Sequence, residues 1–335
     1  MNSHLSRSAY TNRNLQIQKE AYSMLKKCNA VFEGGGVRGI GHVGAVCRME
    51  QAGWQFADTA GSSAGAIIAA LLAAGYTGKE LKKEMEGLDY LRFKGMDFPD
   101  HFGMVGKSLS FLLSLGIYRT DELEDWLDEL LNRKGMRRFG DVAFSGKKLK
   151  ITASDLTKRR LLVFPDDLKQ FDVTWEEFCI APAVRMSVSI PIFFEPVRWK
   201  DLQGEEHLIV DGGLLSNYPL WLLDDQKQKP FRPTFGFKFF EEKEPCECRV
   251  CQARPNVVDY LKAIVSTSLD AFDNYHLSSD DYDRTIRIST EANVKGERRK
   301  ISAVDFDITP EESRALFENG WSGAERFLRR KHLAT

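Results

Sequence analysis

Residues 64–74 read Ala-Gly-Ala-Ile-Ile-Ala-Ala-Leu-Leu-Ala-Ala. A helix built from them is apolar on every side, so it must be enclosed between other elements rather than laid on a surface. Gly75 follows, as a glycine just past a helix end commonly does. Directly before the helix stands an apolar strand, Phe56 to Ala60, and the join between them is Gly61-Ser62-Ser63-Ala64-Gly65. A similar unit precedes it: Ala30 to Phe32 read as a strand, Gly34-Gly35-Gly36-Val37-Arg38-Gly39 as a glycine turn, and Gly39 to Gln51 as a helix with small residues on one face. Further strands are expected at 148–153, 160–164, 208–210, 234–240 and 284–289. Strands alternating with helices predict an α/β fold with a mainly parallel central sheet and helices on both faces.

The rest of the chain fits a single domain. With 335 residues, 43% of them apolar, it is long enough to bury a large core, and no linker divides it. Its 47 basic and 48 acidic side chains leave a net charge of −1, so no overall field favours nucleic acid or an anionic surface. The polar N-terminus, residues 1–20, does not read as a secretory signal, and no apolar run is long enough to span a bilayer. The expectation is a cytoplasmic protein. Residues 15–27 are helix-like and polar. Residues 92–118, rich in glycine with interspersed apolar residues, suit a mobile cover or a packed crossover equally.

Thr120 is placed to cap a helix whose Asp121, Glu122 and Glu124 suit its positive end, with Leu123, Trp126, Leu127, Leu130 and Leu131 as the buried stripe. Thr309-Pro310-Glu311-Glu312 opens the last helix with a capping box. Leu316, Phe317, Trp321, Ala324, Phe327 and Leu328 form its inner face, and Arg326, Arg329, Arg330 and Lys331 a solvated end. Cys28, Cys47 and Cys179 read as buried thiols. Cys246, Cys248 and Cys251 are close enough to begin a zinc site but lack a fourth ligand, so free thiols are the simpler expectation.

The glycine turn alone is ambiguous. Gly34, Gly36 and Gly39 match a dinucleotide-binding fingerprint, and Asp58 stands where its acidic residue belongs. Against that, Arg38 sits inside the turn, and the second strand ends in Gly-Ser-Ser-Ala-Gly. Free N–H groups at a helix start suit any developing negative charge. The Gly61–Gly65 segment has the form of a nucleophile elbow, with Ser63 at its tip and small residues that let strand and helix approach. A serine nucleophile needs a base. None of the late histidines, His207, His276 and His332, lies in a marked loop, and a triad through Asp211 and His276 has no support. His42 reads as a packing residue. Asp211 ends an apolar strand and is followed by Gly212-Gly213. From the residues alone it is either the partner of Ser63 or an ordinary Asp-Gly turn.

Together, Gly34–Gly39, Gly61–Gly65 and Asp211-Gly212-Gly213 resemble the three blocks of the patatin-like phospholipases, in order and spacing. Ala183 to Pro191, running on to Phe194-Glu195-Pro196-Val197, is similar to the Ser- and Pro-containing segment before the aspartate, and Asn217-Tyr218-Pro219 fits after it. The likeness spans about residues 29–225, leaving 226–335 as an extension packed on that core. It implies a three-layer patatin-like fold, a Ser63–Asp211 dyad, and an oxyanion hole from the N–H groups of Gly35, Gly36 and Val37, with Arg38 supporting the loop and Ala64 contributing. Glu33 stands where many members have aspartate, and Gly213 where alanine is common. The implied activity is hydrolysis of phospholipid or lysophospholipid esters through an acyl-enzyme, without metal or other cofactor, with peripheral membrane contact and no nucleic acid. Residues 104–118 and 190–194 are candidates for an acyl channel. The alternatives are an acyltransferase using the same dyad, or a lipid- or nucleotide-binding regulator whose glycine loop only grips phosphate.

Overall fold

The computed structural model of the chain describes residues 26–87, 116–118, 120–224, 232–240, 264, 267, 278–294 and 296–333. The polar N-terminal helix, most of the 92–118 segment, His276 and the cluster Cys246, Cys248 and Cys251 lie outside them.

In chain order the strands are β1 (Lys27–Phe32), β2 (Gln55–Gly61), β3 (Gly116–Tyr118), β4 (Leu149–Asp155), β5 (Arg160–Phe164) and β6 (Ile192–Phe194). There follow β7 (Val197–Lys200), β8 (Glu206–Asp211), β9 (Thr234–Phe240), β10 (Thr285–Ser289), β11 (Glu291–Val294) and β12 (Glu297–Lys300). The longer helices are α1 (Ile40–Gln51), α2 (Ala64–Ala73), α3 (Gly78–Glu86), α4 (Asp121–Arg133), α5 (Ile180–Val188) and α6 (Pro310–Arg330). The main sheet runs β10-β9-β1-β2-β4-β8-β7, with β5 also on β4. The joins among β10, β9, β1, β2 and β4 are parallel, while β8 and β5 lie antiparallel on β4 and β7 antiparallel on β8. The sheet is thus mostly parallel, as the alternation of strands and helices predicts, with an antiparallel edge. That edge follows from the chain between β7 and β8, a short hairpin rather than the long crossover that a parallel pair needs.

All ten residues of α2 are buried. The helix packs on β1, β2 and β4 and against α5, the enclosure that its all-apolar surface requires. Neighbouring side chains of β1 face opposite ways, as the pleat dictates. Phe32 joins the large core with Ile68, Leu71 and Ile151, whereas Val31 packs with Ala60, Tyr218 and Leu220 on the other face. Helix α6 lies along α1 and β10, and its Thr309–Glu312 capping box forms as expected. Leu316, Ala324, Phe327 and Leu328 are buried there, with Phe317 and Trp321 half-buried.

Three expectations change. Thr120 precedes α4 but its side chain makes no cap; its Oγ1 accepts a hydrogen bond from Arg185 Nε at 3.1 Å instead. Cys28 is buried, but Cys47 and Cys179 are only partly so. Trp126, expected in the buried stripe of α4, is only half-buried, whereas the basic end of α6 is solvated as expected, with Arg326, Arg329 and Arg330 exposed. Among the described residues no helix is long and apolar enough to cross a membrane. Because Leu71 is fully buried in the enclosed helix, Leu71→Ala is expected to destabilise the protein by about 2–5 kcal/mol, read as a lowered urea midpoint at unchanged slope.

Candidate active site

The end of β2 turns sharply into α2. Ser63 holds φ 51° and ψ −129°, a left-handed backbone that costs a non-glycine residue roughly 1–3 kcal/mol. Surrounding groups fix it there. The Ser63 N–H donates to Ser187 Oγ at 2.9 Å, and Ala66 N–H donates to Ser63 O at 2.9 Å. The tightness of the turn explains Gly65: a Cβ there would stand 2.3 Å from Phe32 O, so any side chain would force α2 away from β1.

Ser63 Oγ donates to Asp211 Oδ2 at 2.6 Å, and both residues are almost wholly buried. The sheet brings them level. Gly61 pairs with Ile151 on one side of β4, and Asp211 with Ala153 on the other. The last turn of α5 braces the aspartate: Asp211 N–H donates to Ser189 O at 2.9 Å and Gly212 N–H to Ser187 O at 3.2 Å. Asp211 Oδ1 accepts from Gly213 N–H at 2.7 Å. Burial pushes the Asp211 carboxyl up to about 7, although the hydrogen bonds from Ser63 and Gly213 pull it down. No histidine stands between serine and carboxylate.

The glycine turn borders the same cavity as Ser63, with Gly36, Val37 and Ala64 in its wall. Arg38 Nε donates to Gly35 O at 3.2 Å, and its guanidinium lies 5.0 Å from the Phe239 ring centre. The segment after Asp211 meets the turn: Gly34 N–H donates to Asn217 O at 2.9 Å, and Asn217 Nδ2 to Gly34 O at 3.4 Å. Glu33 is buried beneath the turn, where it pairs with Lys238 and accepts the Phe239 N–H. Burial raises its carboxyl, opposed by the Lys238 ammonium. His42 Nε2 bonds Glu33 O at 2.8 Å, and burial lowers the imidazole to about 3, so the ring is neutral and packs between Phe32 and Phe239.

Of the N–H groups assigned to the oxyanion hole, those of Gly35, Gly36 and Ala64 have no acceptor among the described residues, whereas Val37 N–H donates to Ala303 O at 3.1 Å. Sequence reasoning did not single out Ala303, and it quoted Ser187 without a role. The cavity at Ser63 measures about 60 Å³, and its apolar lining includes Ile67, Leu123, Trp126, Ile190, Phe194 and Phe306. Of the two segments expected to form an acyl channel, 190–194 contributes Ile190 and Phe194 to this lining; of the other only Gly116–Tyr118 is described, and it pairs in parallel with Ile192–Phe194. A larger cavity of about 550 Å³ lies at the opposite end of the sheet, by Lys27, Glu50 and Lys147, and contains none of the expected site residues. His207 is likewise elsewhere, between Asp155 at 2.7 Å and Asp201 at 3.2 Å.

The chain as a whole resembles known proteins. A family model described as patatin-like phospholipase matches residues 30–224. The chain is 36% identical over 302 residues to "Uncharacterized protein YqhO" of Bacillus subtilis, covering 90% of this chain and 98% of that one. It is 25% identical over 190 residues to "Probable lipid hydrolase 463L" of Invertebrate iridescent virus 6, covering 57% of this chain and 61% of that one. Among solved structures, VipD from Legionella pneumophila has a similar fold, with a TM-score of 0.54 at 18% identity, covering 91% of this chain and 67% of that one.

The buried pair under the glycine turn yields a test of its own. Lys238→Met leaves Glu33 without its counter-charge and is expected to cost about 3–5 kcal/mol of stability. Glu33→Gln in the same protein should restore most of that loss, as measured by denaturant titration.

Proposed function

The chain belongs to the patatin-like phospholipase family, a family of lipid hydrolases, and from that premise we propose that it is a serine acyl hydrolase of phospholipid or lysophospholipid esters. The observation that carries this reading is the 2.6 Å hydrogen bond from Ser63 Oγ to the buried Asp211 carboxylate.

In the proposed reaction Asp211 takes the Ser63 proton as Oγ attacks the ester carbonyl carbon. The carbonyl oxygen becomes an oxyanion, held by N–H groups of the glycine turn and aided by the positive end of α2. Collapse of this intermediate expels the alcohol, which leaves with the proton from Asp211 and gives an acyl-enzyme. Water then attacks the acyl carbon, giving its proton to Asp211. The second collapse frees the fatty acid, and the proton returns to Ser63. Ser187 and Ser189 act as positioning residues that hold the two reacting side chains level. The apolar cavity wall suits the acyl chain, and the lipid substrate implies peripheral membrane contact.

A fluorophosphonate probe is expected to label the wild-type protein and not Ser63→Ala. Mass spectrometry of products from a panel of phospholipids and lysophospholipids should show released fatty acid. Asp211→Asn should lower kcat/KM by roughly 10³-fold or more; full activity in that variant would exclude the dyad. Because the base works only when ionised and burial raises Asp211 to about 7, kcat/KM should rise with pH and level off above about 7, falling about tenfold per unit below it. Ser187→Ala removes the acceptor of the Ser63 N–H, and is expected to lower kcat roughly tenfold with KM nearly unchanged, since leaving that buried donor unpaired costs about 1–3 kcal/mol. Ser187→Thr should recover part of the loss.

A further inference from the structure

The cavity at Ser63 is far smaller than its proposed substrate. Ligand pockets generally measure roughly 300–1,000 Å³, against about 60 Å³ here. Part of its wall is Phe306, which belongs to an irregular stretch between β12 and α6.

Two contacts of this stretch coincide with the positions that the reaction assigns to substrate. The first is the Ala303 carbonyl, which accepts the Val37 N–H at 3.1 Å. It lies so close to the glycine turn that a Cβ on Gly36, itself at φ 53°, would stand 1.8 Å from Ala303 O. A carbonyl oxygen thus rests on an N–H group assigned to the substrate's carbonyl. The second is Phe306, whose side chain forms part of the wall of the Ser63 cavity and meets the Phe194 ring edge-on at 5.8 Å between centres. Val304 packs with it against Ile190, Ile192, Phe193 and Phe194. An aromatic group therefore occupies the entrance to the apolar wall that suits an acyl chain.

Ile301 is fully buried in the core and its N–H donates to Thr290 O at 3.0 Å; beyond it the stretch is held locally. Ser302 N–H donates to Asp305 Oδ2 at 2.9 Å, Arg299 Nη2 meets the same oxygen at 3.3 Å, and Phe306 N–H donates to Val304 O at 3.0 Å. Arg299 also ties this corner to α6 through Glu312 at 2.8 Å. Among its backbone hydrogen bonds, only that from Val37 reaches the glycine turn. From Ser302 to Phe306 no backbone hydrogen bond reaches a strand of the main sheet among the described residues.

We propose that residues 302–306 are an internal pseudosubstrate strap: the Ala303 carbonyl takes the place of the scissile carbonyl oxygen on the glycine turn, Phe306 takes the place of the acyl chain, and lipid binds only when the strap withdraws. This rests on the hydrolase reading above and adds that the described conformation is its closed form. The substrate's acyl chain then enters along the path Phe306 vacates, between Leu123 and Trp126 of α4 and Ile190 and Phe194.

The test measures access to Ser63. A fluorophosphonate forms a bond from Ser63 Oγ to phosphorus as fluoride leaves and Asp211 takes the proton; its phosphoryl oxygen then competes with Ala303 O for the Val37 N–H. If the open form is a minor species of a few per cent, loosening the strap raises the labelling rate by roughly tenfold or more. That rise is expected in Asp305→Ala, which frees the 302–305 turn, and in Phe306→Ala, with a parallel rise in hydrolysis of a short-chain nitrophenyl ester. Labelling as slow as wild type, or slower, in variants with native circular dichroism would overturn the strap. A second measurement needs no variant: in fully labelled wild-type protein, the amides of 302–308 should exchange hydrogen faster than before labelling, and unchanged exchange there would count against displacement of Ala303. Labelling in wild type that is merely insensitive to strap variants defeats the strap alone. No labelling of Ser63 in any of the three proteins defeats the hydrolase reading, and the strap's role with it.

Discussion

Everything at the site depends on keeping one carboxylate dry. Asp211 is fully buried, and its affinity for a proton comes from that burial, since both hydrogen bonds it receives act the other way. Were solvent admitted around it, the carboxyl would fall back toward the ordinary range near 4, and with it the basicity that the proposed reaction asks of Asp211. The fold therefore has to enclose the end of β8 from several sides at once. The all-apolar α2, the last turn of α5 and the antiparallel register of β8 on β4 supply that enclosure, and the same elements hold Ser63 in its strained backbone. Strain in the elbow and desolvation of the aspartate are two costs borne by one set of packed neighbours.

A second buried charge sits beneath the glycine turn, and it is treated differently. Glu33 is balanced by Lys238 and by the Phe239 N–H, both on β9, the strand beside β1. A glutamate in this position can reach across to the next strand and tie the start of the turn to it. Arg38 holds Gly35 O from inside the turn, and the neutral His42 holds Glu33 O from α1. The turn is thus braced by donors to Gly35 O and Glu33 O. One buried acid is compensated so that it can support; the other is left without a counter-ion so that it can accept a proton.

How far the sequence revealed this depended on the range of each interaction. The strand, turn and helix around Gly34–Gly39 and Gly61–Gly65 were readable because each is set by residues within a few positions of one another. So was the Thr309 capping box. The equivalent box at Thr77 and Glu80, which opens α3, carries the same signal, but the polar helix behind it lacks an apolar stripe long enough to draw notice. Helix α5 was not expected; Pro182 stands in its first turn, where proline is tolerated. Strand direction leaves no local mark, so the antiparallel edge at β8 was invisible. The Ser187–Ser63 and Ala303–Val37 contacts join residues that only the tertiary fold brings together, and no pattern in either segment announces them. Thr120 shows the reverse error: a sound local cap signal overridden by Arg185, a long-range partner for its hydroxyl.

An apolar cavity beside a nucleophile poses a problem that the strap addresses in physical terms. Side chains such as Ile67, Leu123 and Ile190 that are to receive an acyl chain would, in its absence, border water, and exposed apolar area is unfavourable at roughly 25 cal/mol per Å². Phe306 and Val304 remove part of that area from water using the chain itself. A bulkier aliphatic ligand covers more of the same surface, and also supplies a carbonyl for the N–H that Ala303 releases. The closed and open forms then differ by the small balance between two sets of like contacts, rather than by the loss of one. A substrate can shift such an equilibrium only through its advantage over the strap, so selectivity for a long acyl chain follows from the competition itself: a short ester gains little over Phe306, while a longer one gains with every methylene it buries.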